Sequence, residues 1–170
     1  MFANHRRGLS LIEMLIYLTI LAVVALTLTN LLLTSSRSFT RSKIDRNLMT
    51  SGMIVLERLV REVQLATNVD LTGSTLGVSP GRLKLNTTDA GGAAATVSFA
   101  VSGGVLTIEE GALAPTGMTP NTVTVSSLIF RRVATANSQA VKVDLTLIDS
   151  RVSPPRVENF YTTAILRGSY

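Results

Sequence analysis

Most protein chemistry is done by histidine, cysteine and carboxylates, and this chain is short of the first two. Its 170 residues hold one histidine, His5, and no cysteine. That removes Ser-His and Cys-His nucleophilic catalysis, the usual zinc sites and most imidazole acid–base work. It also leaves no disulfide framework and no redox clue to compartment. Among the carboxylates, the adjacent pair Glu109 and Glu110 falls on a predicted strand, where neighbours face opposite sides and do not converge on a substrate. The pair Gly91-Gly92 lacks the strand-to-helix context of a phosphate-binding loop. No catalytic residue, cofactor or metal-ligand set is expected. Glu13 is of another kind. It heads the stretch "RRGLSLIEMLIYLTILAVVALTLTNLLLTS", which starts at Arg6 and carries no other acid.

The element around Glu13 explains why its position matters. From Met14 to Leu33 no residue is charged, and only Tyr17, Thr19, Thr27, Thr29 and Asn30 are polar. As a helix that segment spans about 30 Å, the thickness of a bilayer's hydrocarbon core. A lone carboxylate there costs about 2.5–3.5 kcal/mol on insertion scales, so it calls for a cationic partner or for a place at the membrane edge. A cleaved secretory signal is the competing account. His5, Arg6 and Arg7 suit its basic start, but the apolar core is too long and only the weak "TSS" at 34–36 follows it. By charge count, Arg37, Arg41, Lys43 and Arg46 beyond the span would keep the C-terminal part inside the cell.

The residues "RRGLSLIEMLIYL" resemble the leader of type IV pilins and type II secretion pseudopilins. The resemblance implies a basic leader ending at Gly8, cleavage between Gly8 and Leu9 by a prepilin peptidase, N-methylation of Leu9, and an assembly role for Glu13. Leu9 stands where phenylalanine or methionine is more usual. The resemblance also implies a single-pass subunit of the inner membrane whose C-terminal part is periplasmic or extracellular, against the charge count. Its partners would be other pilins or pseudopilins, an inner-membrane assembly platform and the bilayer. Cleavage would create an amine on Leu9, about one helical turn from Glu13 in the same chain. In a fibre Glu13 could meet the neighbouring subunit's amine instead, which would set the axial stagger.

Nothing between Leu9 and Asn68 stops a helix: the first proline is Pro80 and the first glycine after Gly8 is Gly52. Many pilins carry a proline partway along the anchor; Asn30 falls about there. Beyond Leu33 an apolar stripe of Ile44, Leu48, Val55, Leu56, Leu59, Val63 and Ala66 recurs at steps of three and four. Arg58, Arg61 and Glu62 are assigned to the opposite face, with Glu57 and Arg61 as an i,i+4 pair. A strict heptad is absent, so the stripe is expected to pack on the chain's own following domain. "MIVLERLVREVQLATNV" resembles the helix end of tip minor pilins and J-type pseudopilins. Met49 and Met53 are expected to fill core space.

From Asp70 onward the pattern is strand-like. Residues 71–81 and "TTDAGGAAAT" are predicted loops. "RLKL" places Leu83 and Leu85 on one face. "VSFAVSGGVLTIEE" is a hairpin about Gly103-Gly104, with Val101 facing Leu106 and Phe99 facing Ile108. "NTVTVSSLIFRRV" and "AVKVDLTLI" are further strands, the second with Val141, Val143, Leu145 and Leu147 on one face. "RVENFYTTAILRGSY" closes the chain, and its "TTAILRG" resembles the strand ending of minor pilins, with Gly168 as the departure. Asn86-Thr87-Thr88 is taken as a coincidental sequon, and Arg131-Arg132 as a solvated strand edge.

The expected class is α+β: a long N-terminal helix, transmembrane then amphipathic, packed on an antiparallel β-sheet domain, the pilin-like fold that the resemblance implies. The expected segments are a leader at 1–8, a membrane and fibre-core helix at 9–33, its amphipathic continuation at 34–69 and a β-rich head at 70–170. Net charge is +5, and without Arg6 and Arg7 the balance is 14 basic to 11 acidic residues, too even and scattered for a nucleic-acid groove. Two other functions stay open: a membrane-tethered periplasmic binding module with an uncleaved anchor, and a secreted enzyme starting near Ser36. Some pseudopilins bind calcium, but no ligand cluster is evident in this sequence.

Overall fold

The computed structural model describes residues 10–89, 91–135 and 138–167. One helix, α1 (Leu11–Leu65), is followed by eight strands: β1 (Asn68–Val69), β2 (Leu83–Thr88), β3 (Ala94–Ser102), β4 (Val105–Glu110), β5 (Thr116–Gly117), β6 (Thr124–Ala134), β7 (Gln139–Asp149) and β8 (Arg156–Ile165). The helix ends at Leu65, three residues short of the expected Asn68, which joins β1 instead. The chain divides into two compact units, Met1–Ser42 and Lys43–Tyr170.

In the first unit every described helical residue except Glu13 is exposed. This stretch is long and apolar enough to cross a membrane. Its threonines do not oppose that. The hydroxyls of Thr19, Thr27 and Thr29 donate to the carbonyls of Ile16, Val24 and Ala25, each at 2.8 Å, so no hydroxyl hydrogen is left bare toward hydrocarbon.

In the second unit two antiparallel sheets, ordered β1-β2-β3-β4-β5 and β6-β7-β8, share one core with the C-terminal part of α1. Ile44, Leu48, Val55, Leu59, Val63 and Ala66 are buried, and Leu56 packs half-buried against them. The stripe therefore packs on the chain's own domain. Two helix assignments are corrected. Glu62 is not on the solvent face: it is 8% exposed, and its carboxylate pairs with Arg58 Nε at 3.0 Å. Met49 and Met53 are not core filler: they are 43% and 64% exposed.

The hairpin forms in the expected register, Val101↔Leu106 and Phe99↔Ile108. Its two turn glycines have φ of +57° and +79°, the left-handed conformation that a two-residue hairpin turn demands. β2 and β3 run longer than expected, pairing Thr87 with Ala95 and Thr88 with Ala94. Small residues read as loop join the ladder because the register is already set by Leu83↔Phe99 and Leu85↔Val97. On β7 the residues Val141, Val143, Leu145 and Leu147 are all buried, as the alternation requires. Ala164 and Leu166 of the closing segment are buried too, while Gly168 lies outside the described residues.

Candidate functional site: the acid at the head of the helix

Glu13 occupies the third position of α1. Ser10 precedes the helix, and its carbonyl accepts the first bonds, from Glu13 N at 3.0 Å and Met14 N at 3.1 Å. Ser10 and Glu13 have the sequence spacing of a capping box, but Ser10 meets Glu13 N through its carbonyl and the Glu13 carboxylate turns to Tyr17. At this position the carboxylate lies by the positive end of the helix dipole. The site places a carboxyl group where the chain becomes apolar.

The carboxylate has a partner on its own helix. Tyr17, one turn on, donates its hydroxyl to Glu13 Oε1 at 3.2 Å. The i,i+4 spacing of Glu13 and Tyr17 is visible in the sequence, but spacing alone does not distinguish this bond from an unpaired polar residue in the span. Glu13 is half-buried, Tyr17 exposed. The arrangement can accept a cation through Glu13's remaining lone pairs. It includes no general base beside a nucleophile.

Gly8 and Leu9, the expected processing residues, lie outside the described residues, as does His5. The other candidates do not gather into a site. Glu109 and Glu110 separate as expected: Glu109 meets Ser98 Oγ at 3.0 Å and Arg82 at 3.4 Å, whereas Glu110 pairs with Arg58 of the helix. Arg131 pairs with Asp144, and Arg132 Nε donates to Gln139 Oε1 at 3.1 Å. Among the described residues no group of three or more His, Cys, Asp or Glu side chains could hold a metal ion.

Two carboxylates of the head are held charged. Asp70 accepts from the Thr72 hydroxyl at 2.7 Å and the Gly73 amide at 3.1 Å, and these bonds, the Thr72 hydroxyl foremost, draw its pKa down to about 2. Asp149, fully buried, accepts Nε of Arg151 on both oxygens at 3.0 Å, and that guanidinium holds its carboxyl below the usual range. Both groups lock turns: Asp70 follows β1, and Asp149 ends β7.

Residues 3–29 match the family model of the prokaryotic N-terminal methylation motif. No curated protein matches the chain. No solved structure matches it either. The motif match supports a type IV pilin-like chain that is processed by a prepilin peptidase and assembles with other pilins. With the apolar helix it supports membrane anchoring followed by fibre assembly, and the motif is one of structural subunits, not of enzymes.

Proposed function

We propose that the chain is a minor subunit of a type IV pilus or a type II secretion pseudopilus, at the priming or tip position. Prepilin peptidase cuts between Gly8 and Leu9, Leu9 is N-methylated, and the C-terminal head lies outside the inner membrane. The new amine of one subunit then pairs with Glu13 of its neighbour, which fixes their axial offset. The anchor helices form the fibre core and the β-rich head is displayed on its outside. The observation that supports this most is the motif match over residues 3–29, falling on the segment whose one acid heads an apolar helix. The minor-subunit assignment draws on the likeness of Met53–Val69 and "TTAILRG" to such subunits.

The physical basis is the cost of an unmatched ion. In hydrocarbon the attraction between amine and carboxylate is weakly screened, and leaving either member alone is costly. Glu13→Gln keeps the shape and removes the charge. The variant is expected to stay in the membrane but to enter the fibre poorly, measured as its share of the pelletable fibre fraction. Normal incorporation would refute the pairing; absence of the wild-type chain itself from the fibre fraction would favour a membrane-tethered binding module.

A further inference from the structure

Tyr17 stands apart from the other polar residues of the apolar span. The threonine hydroxyls there are turned onto carbonyls of their own helix, whereas the Tyr17 hydroxyl is given to a carboxylate. Its side chain leans back over the preceding turn, as long helical side chains do, and so reaches Glu13 from the C-terminal side. A carboxylate offers about four lone-pair sites on two oxygens. With the hydroxyl on Oε1, Oε2 is left for another donor.

We propose that Tyr17 is a positioning residue for Glu13: its hydroxyl holds the carboxylate on the 13/17 face of the helix, ready for the amine of the next subunit. This rests on the assembly role proposed above for Glu13. While the subunit waits alone in the bilayer, no water is at hand to satisfy Glu13, and the phenol supplies one donor from within the chain. When the amine arrives the hydroxyl stays, so the ion pair forms on a carboxylate already oriented. The competing role for a tyrosine near the end of a span is that of an interfacial aromatic anchor, in which the ring matters and the hydroxyl does not.

Two substitutions separate these roles. Tyr17→Phe keeps the ring and deletes the donor; Tyr17→Gln deletes the ring and restores a donor four residues from Glu13. In full-length protein in its native cells, incorporation into the fibre fraction is measured relative to the membrane pool, beside Glu13→Gln. Tyr17→Phe is expected to lower incorporation about three- to tenfold, the range for a side-chain hydrogen bond within a membrane. Tyr17→Gln is expected to recover most of that loss. Wild-type incorporation by Tyr17→Phe, or a Tyr17→Gln variant no better than Tyr17→Phe, overturns the role of Tyr17 while a defective Glu13→Gln leaves the pairing standing. Normal incorporation of Glu13→Gln overturns both.

Discussion

Gly52 lies directly beneath the ring of Phe160: a Cβ on Gly52 would stand 2.2 Å from Cζ and 2.5 Å from both Cε atoms. The only glycine of α1 is therefore where a ring from β8 packs onto the helix, and the residue that weakens a helix most after proline is what admits the ring.

Gly52→Ala sets two effects against each other. Alanine gains about 1 kcal/mol of helix propensity, whereas overpacking of this kind costs about 1–3 kcal/mol. With three ring atoms inside 2.6 Å of the new methyl the clash wins, for a net loss of about 1 kcal/mol. Urea unfolding of the full-length protein in detergent checks this. Once Phe160→Ala has removed the ring, the same Gly52→Ala change is expected to become neutral or stabilising.

Arg58 bridges two carboxylates, Glu62 on its own helix and Glu110 on β4. Arg58→Met leaves Glu62 buried without its cation. Because the Arg58 side chain is itself 40% exposed, solvent screens part of the loss, and the expected cost is about 1–2 kcal/mol. Adding Glu62→Gln should return a good part of it. The double variant in the same unfolding assay tests this, and no recovery would mean that Arg58 acts through its packing instead.

The acid branch of stability follows from Asp70 and Asp149, whose carboxyls are both held below their usual range. A carboxyl depressed in the folded state binds its proton more readily when unfolded. Its contribution is thus present above the unfolded value of about 4 and lost as pH falls through the folded value, which is about 2 for Asp70. The unfolding midpoint is expected to drop between about pH 4 and pH 2. Asp70→Asn should lie below wild type at pH 5 and converge with it near pH 2; a constant gap across that range would contradict the assignment.

The parts of the fold legible in the sequence are those where one local rule acted alone. The absence of proline let the helix run unbroken through its single glycine, Gly52, and the stripe from Ile44 to Ala66 marked its buried face. The Gly103-Gly104 turn fixed the hairpin register because its length admits only one pairing. Legibility failed where tertiary contact overrode the pattern. Glu62 is charged yet buried, its carboxylate paired with Arg58, and Met49 and Met53 are apolar yet exposed.

β6 forms as the strand expected, with an irregularity the sequence pattern alone does not locate. Val123, just before the strand, and Val125 fall in one phase, and Leu128 and Phe130 in the opposite one, yet all four are buried. The register shift between Val125 and Ser127 inserts one extra residue and brings both pairs to the core. The acid at the head of the helix was legible outright, since a charge beside an apolar run stands out; its hydrogen bond to Tyr17 was not, because each residue had been weighed alone.

The most direct test is the mass of the N-terminal peptide of the protein purified from its native membrane or fibre. A peptide that begins at Leu9 and bears one added methyl group is the expected result, since only cleavage after Gly8 supplies the amine that Glu13 is proposed to meet. Assembled, working protein that still begins at Met1, or that begins near Ser36, would contradict it.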